Sequence, residues 1–149
     1  MIDFVRPACY NNEEKLADLL VERLEEIAIL DMPWHKVGIA HMNGFILPGG
    51  DTNLLLRSVN EKRFRSVMKK YAELGAGIEI NLCSDCFPAD WKGHADDVLR
   101  LHRIAKEEGC KFYLASDGHH PTDFDEITDF APDVVKALEL TDADCFRLK

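Results

Sequence analysis

The densest group of residues with metal-ligand chemistry is the segment Ser116-Asp117-Gly118-His119-His120. Asp117 and His119 stand two positions apart, and Gly118 between them lets the backbone approach an ion without a steric penalty. A carboxylate together with an imidazole suits Zn²⁺, Mn²⁺ or Fe²⁺ better than Mg²⁺ or Ca²⁺, which prefer oxygen ligands. The segment therefore predicts a divalent-metal-binding turn, where an ion would lower the pKa of a bound water and supply hydroxide for hydrolysis.

Polar side chains also occur at the ends of two earlier apolar runs. His41 closes the first run, and Glu79 and Asn81 lie in the last half of the second. Since the carboxyl ends of neighbouring parallel strands share one rim, we expect His41, Asp117 and His119 to lie close enough for one cation to touch all three.

Two of the candidate side chains have more than one interpretation. A charge inside an apolar strand is seldom buried without a partner, so Glu79 is a metal ligand, a partner of one, or a salt-bridged structural residue; we favour the last two. We expect His120 to contact solvent or substrate. The alternative for Asp117-Gly118 is an ordinary turn, followed by exposed histidines, that binds no metal. The alternative for His41 is a histidine of the core or of a turn with no functional role.

The elements that must position these side chains alternate between helix and strand. Apolar runs predict strands at 37–41, 77–82 and 111–115. Their near-continuous apolar character predicts strands covered on both faces. Because helices separate the strands, the connections are crossovers and the sheet is parallel, which gives an α/β class.

Capping and stop signals delimit the predicted helices. The first helix begins with Asn11 as its cap and Glu14 in its capping box, and it ends before Pro33. A second begins with a capping box at Ser58 and ends at Gly75, and a third ends at Gly109. A short helix begins at Thr122 or Asp123, and Pro132 lies in the first turn of a last helix.

Length and composition fit one globular domain. The chain has 149 residues and a net charge of −9, which argues against nucleic-acid binding through bulk charge. It shows no apolar run long enough for a bilayer and no signal peptide, so we expect a cytoplasmic protein that does not bind membranes. Its five cysteines are expected to be reduced thiols.

The remaining histidines and one cysteine pair give weaker signals. His35, His94 and His102 are expected at the surface. Cys83 and Cys86 have the spacing of a zinc site, but a structural zinc ion usually needs four ligands, so a redox or zinc module there is a minor alternative.

Three segments together resemble a known family. Val37–His41, Ile78–Asn81 and Leu114–His119 occur in the order and spacing of the second half of a PHP domain, the polymerase and histidinol phosphatase superfamily of metal-dependent phosphoesterases. The resemblance covers about residues 35–126. It implies that 1–34 is an N-terminal helical segment, 35–126 a PHP-like core and 127–149 a C-terminal helix and tail of the same domain.

The resemblance also implies a fold and a site. The parallel βα units would form part of a distorted (β/α)7 barrel that holds zinc, manganese or iron at the strand ends. It implies that His41, Asp117 and His119 are metal ligands and that Glu79 and Asn81 line the cleft. The His-x-His motif with which the family begins has no counterpart before His35.

Two functions stay open at this point. The first is a phosphoesterase that hydrolyses a phosphorylated small molecule with metal-bound hydroxide, either as a fragment of a longer barrel or as a short protein whose half-barrels pair across a symmetric dimer. The second is a catalytically inactive half-barrel that serves in assembly or regulation. Half a barrel has two open strand edges, so both predict a homo-oligomer.

Overall fold

The computed structural model describes residues 12–42, 52–82 and 96–148, in which helices and parallel strands alternate. The strands are β1 (Gly38–Ile39), β2 (Gly77–Asn81) and β3 (Lys111–Ala115). The helices are α1 (Glu13–Ile27), α2 (Thr52–Ser58), α3 (Glu61–Leu74), α4 (Asp96–Glu107) and α5 (Asp123–Ala137), with short 3₁₀ turns at Trp34–Lys36 and Asp142–Asp144. None of the helices in these ranges combines the length and the apolar character that crossing a bilayer requires.

The three strands form one parallel sheet in the order β1-β2-β3, which confirms the α/β class. All five residues of the central strand β2 are buried. The prediction that every strand is covered on both faces is wrong for β3, where Leu114 is 47% exposed. The reason is that Leu114, near the carboxyl end of β3, borders an open cavity that leaves its side chain partly uncovered.

Two helices begin later than their capping patterns predict. The cap of α1 is Asn12 rather than Asn11, because the Asn12 side chain accepts the bond from Lys15 N at 2.8 Å. The cap of α3 is Asn60 rather than Ser58, whose hydroxyl instead donates to the Leu54 carbonyl within α2. Side-chain geometry at the first turn decides between adjacent candidate caps.

Two further predictions about the helices are corrected. The short helix α2 was absent from the predicted elements. At the other end of the chain, the predicted pair of helices is one continuous helix, α5, with Pro132 inside it. A proline in a helix removes one backbone hydrogen bond, and the burial of Val134 and Leu138 in the core offsets that loss.

One hydrophobic core joins the helices to the sheet. It includes Leu16 of α1, Phe64 of α3 and Leu101 of α4, together with Ile78 and Ile80 on one face of β2. Successive strand residues alternate between faces, so Gly77, Glu79 and Asn81 lie on the opposite face. That face carries the candidate site.

Two glycines in register open a slot on the candidate-site face. Gly38 pairs with Gly77, and the rings of Tyr113 and Phe146 fill the space above them, with ring centroids 6.3 Å apart. A methyl group on Gly77 would lie 2.6 Å from ring carbons of Phe146, and one on Gly38 would lie 2.6 Å from Cε1 of Tyr113. These two rings therefore pack directly against the sheet, because the glycines leave room for them.

We expect Gly77→Ala to lower the free energy of unfolding by about 1–3 kcal/mol through this overlap with Phe146. In a Phe146→Ala background the same substitution should lower the free energy of unfolding much less. Urea denaturation of the unmodified protein, the two single variants and the double variant measures this difference. Gly75→Ala is the matched control: its methyl group meets nothing within 4 Å and costs only the strain of φ +78°. Equal costs of Gly77→Ala in both backgrounds would contradict the packing argument.

Candidate functional site

His41 lies just past β1 with a backbone that few non-glycine residues adopt. Its φ is 60°, in the left-handed region, and its side chain is exposed. Its backbone N–H donates to Glu79 Oε2 at 2.6 Å, and its ring Nδ1 lies 3.4 Å from Asn81 Nδ2. A short, charge-assisted bond from the neighbouring strand thus holds the chain at the point where β1 ends.

The two partners of His41 come from the central strand and are buried. Glu79 is 6% exposed and Asn81 is fully buried. Glu79 is in register with Tyr113 on β3, and burial, together with the Glu79 charge, raises the pKa of the Tyr113 hydroxyl. The hydroxyl therefore stays protonated, a neutral neighbour for the carboxylate.

Asp117 follows β3 in the same unusual backbone conformation, with φ 51°. The preceding residue stabilises the turn, since Gly118 N donates to Ser116 Oγ at 3.1 Å. His119 Nε2 lies 3.7 Å from Asp117 Oδ1, and the His119 side chain is 88% exposed. His120 is also exposed, with its Nδ1 2.9 Å from the Thr122 hydroxyl.

An open cavity lies beside this turn. Its volume is about 540 Å³, and its walls combine the polar turn with apolar side chains. The lining includes residues 115–119 together with Leu82, Leu114, Phe124 and Ala131.

The predicted site residues thus occupy two groups at the carboxyl ends of the strands. One joins His41 to Glu79 and Asn81, and the other joins Asp117 to His119. Within 12–42, 52–82 and 96–148, no three histidine, cysteine, aspartate or glutamate side chains are grouped as a metal ion would require. A single ion shared by His41, Asp117 and His119 stays a prediction.

Comparison of the chain with protein-family models, with curated proteins and with solved structures gives no match. The chemistry and placement of these side chains are therefore what point to a function. The alternative at Cys83 and Cys86, and the position of His94, lie outside the described residues.

The prediction that His102 is a surface residue is wrong. Its side chain is fully buried in α4, with Nδ1 2.9 Å from the Val98 carbonyl and Nε2 3.1 Å from the Glu79 carbonyl. Burial lowers the pKa of the imidazole, which favours its neutral form. Helical spacing could have revealed this position, because residues 98, 102 and 105 share one face with buried Val98 and Ala105.

The cysteines within the described ranges offer no nucleophile near the site. Cys110 and Cys145 are free thiols, in line with the expected reduced state. Burial raises the pKa of the Cys110 thiol to about 12, and the thiol donates to the Met68 carbonyl at 3.2 Å. A thiol that stays protonated is a poor nucleophile and metal ligand, so Cys110 is a core residue.

Proposed function

We propose that the chain is a metal-dependent phosphoesterase of the PHP type, whose three parallel strands form part of a distorted (β/α)7 barrel. The observation that carries the proposal is the backbone of His41 and Asp117. Both residues follow strands of one parallel sheet, and both hold the left-handed conformation, which is uncommon for residues other than glycine. Such conformations concentrate at functional sites. By contrast, the third such residue, Glu139, only terminates α5.

The donor chemistry at these positions fits a divalent transition metal. His41, Asp117 and His119 offer two imidazoles and one carboxylate, a set that leaves a coordination position open for a ligand. Zinc, manganese and iron accept this set. When bound, such an ion acts as a Lewis acid and makes water a nucleophile at neutral pH.

A half-turn of the Asn81 carboxamide would prepare His41 for that role. A metal ion binds the imidazole nitrogen that lacks a proton, and the other nitrogen then carries the proton and needs an acceptor. When Asn81 Nδ2 faces the ring, it donates to Nδ1 of neutral His41, and the His41 proton is on Nε2. When the Asn81 carboxamide is turned by 180°, its Oδ1 accepts from Nδ1–H of His41. The Nε2 lone pair of His41 is then available for a metal ion. Asn81 can therefore select the tautomer of His41, while Glu79 fixes its backbone.

The cavity beside Asp117 favours a small organic phosphate as substrate. Its volume of about 540 Å³ lies within the usual range of small-molecule sites, about 300–1,000 Å³. Leu82, Leu114 and Phe124 provide apolar contacts for the organic part. With a net charge of −9 on the chain, bound cations are the natural counterpart of a phosphate.

Metal content and turnover test the proposal together. We expect the purified protein to carry zinc, manganese or iron at about one ion or more per chain and to hydrolyse an aryl phosphate. Chelation should remove both the metal and the activity, and adding back one of these ions should restore the activity. A protein without stoichiometric metal, or with turnover indifferent to chelation, would refute it.

A second candidate function has one specific observation in its favour. Leu114 on β3 and Phe124 on α5 are 47% and 55% exposed and line the same open cavity, an apolar surface that suits contact with another protein chain. An inactive half-barrel in an assembly would use such a surface. It predicts an obligate oligomer by light scattering, partial or no metal, and no phosphatase activity; a metal-loaded active protein excludes it.

A further inference from the structure

The strand ladder between β1 and β2 stops in an unusual way. Gly77 N donates to the Val37 carbonyl, so alternate residues of β2, including Glu79, direct their backbone groups toward β1. In a continued ladder the N–H of His41 would donate to the carbonyl of Glu79. It donates instead to the carboxylate of the same residue, Glu79 Oε2, at 2.6 Å.

This exchange leaves the Glu79 carbonyl, on a buried strand, in need of another donor. A buried carbonyl without a hydrogen bond destabilises the folded chain. His102 Nε2, from the neighbouring helix α4, lies 3.1 Å from that oxygen. The helix thus supplies the bond that β1 does not.

The choice between the two ring nitrogens of His102 follows from what each carbonyl already has. A neutral imidazole carries one N–H and can donate to one of its two carbonyl neighbours. The Val98 carbonyl, four residues back in α4, already accepts the backbone N–H of His102 within the helix. In either neutral tautomer the ring nitrogen without a proton faces a carbonyl oxygen, Val98 O at 2.9 Å or Glu79 O at 3.1 Å. Because only the Glu79 carbonyl has lost its donor in the ladder, we place the proton on Nε2.

We propose that His102 is a positioning residue. Its Nε2–H donates to the Glu79 carbonyl, which receives no hydrogen bond from His41, and the Glu79 carboxylate can then hold His41 in its left-handed conformation. The inference takes from the proposed function only that His41 is a residue of the site. It assigns a role to a buried helix residue that touches neither the cavity nor the candidate ligands.

The test uses the full chain labelled with ¹⁵N-histidine, which carries six histidines. The His41 amide signal, identified by its loss in His41→Asn, should lie downfield and exchange slowly because of its short bond to a carboxylate. The ring nitrogens of His102 should report the Nε2–H tautomer.

Two variants separate the roles of the two ring nitrogens. The amide nitrogen of glutamine reaches about as far as Nε2 and that of asparagine about as far as Nδ1. His102→Gln should therefore preserve the His41 signal, whereas His102→Asn should shift it upfield and speed its exchange by at least about 10-fold. The matched control is Tyr71→Phe, which removes another buried bond to a carbonyl (Leu24 O, 2.7 Å) and should leave His41 unchanged.

Every result of these measurements either supports or overturns the proposal. An Nδ1–H tautomer in the unmodified protein overturns the proposal without any variant. The proposal is also overturned if neither His102→Gln nor His102→Asn changes the His41 signal. It is overturned as well if both variants shift that signal and the control Tyr71→Phe shifts it too. If the signals behave as expected but the protein hydrolyses no phosphate ester, the positioning role stands and the proposed function fails. If the protein is active, His102→Asn should lower its affinity for the added metal about 10-fold and His102→Gln should not.

Discussion

For the proposed phosphoesterase, we expect Asp117→Asn to lower kcat/KM for an aryl phosphate by more than about 100-fold. Even the outer partners of metal ligands are worth about 10- to 100-fold, and a ligand itself is worth more. Asparagine is the right replacement because it tolerates the left-handed backbone that Asp117 adopts at φ 51°, so the turn survives while the charge is lost. Steady-state kinetics at saturating metal measures the effect.

A second acidic residue provides the control for this prediction. Asp142 lines a separate cavity that also includes Gly75 and Gly109, near the amino ends of β2 and β3. Asp142→Asn removes the same charge there and should leave kcat/KM within about twofold, since the surface charge it changes is screened from the site. Equal activity in the unmodified protein and Asp117→Asn would remove Asp117 from the metal site.

Replacing Phe64 with alanine will lower the free energy of unfolding by about 3–5 kcal/mol. The ring is fully buried on α3, within the core that joins the helices to β2, and its removal leaves a cavity that close-packed neighbours fill only in part. Because domains of this size have a total stability of about 5–15 kcal/mol, the midpoint in urea should fall markedly.

An exposed phenylalanine is the matched control for the core substitution. Phe124 on α5 is 55% exposed, so Phe124→Ala removes the same atoms with little loss of burial and should cost less than about 1 kcal/mol. If Phe124→Ala were as costly as Phe64→Ala, that side chain would be buried in solution, against a partner or a second copy of the chain. That result would favour the assembly function over the phosphoesterase.

The sequence was informative wherever local patterns control the structure. The third strand is predicted at 111–115 and has those bounds in the structure. Gly75 was predicted as the end of α3, and its φ of 78° shows why glycine serves there. Apolar periodicity and left-handed helix ends involve neighbours within a few residues, so the sequence contains the whole signal.

Predictions failed where distant parts of the chain compete. Pro132 is a strong local signal for a helix start, yet α5 runs through it while Val134 and Leu138 pack in the core. His102 is a polar residue, but its burial depends on a contact with the Glu79 carbonyl, which lies 23 residues away on β2. In both cases long-range burial and hydrogen bonding outweigh the local preference.

Local sequence patterns are enough to predict the α/β class, the parallel strands and the placement of His41, Glu79, Asp117 and His119 near strand ends, because periodicity and parallel crossovers leave few other arrangements. The contacts among these groups arise only in the folded chain. The Glu79 carboxylate accepts the bond from the His41 amide, His102 Nε2 lies beside the Glu79 carbonyl, and Asp117 lies beside His119. The physical reason is that a buried polar group must find a partner among the residues that the fold brings within about 3 Å, whatever their distance in the sequence.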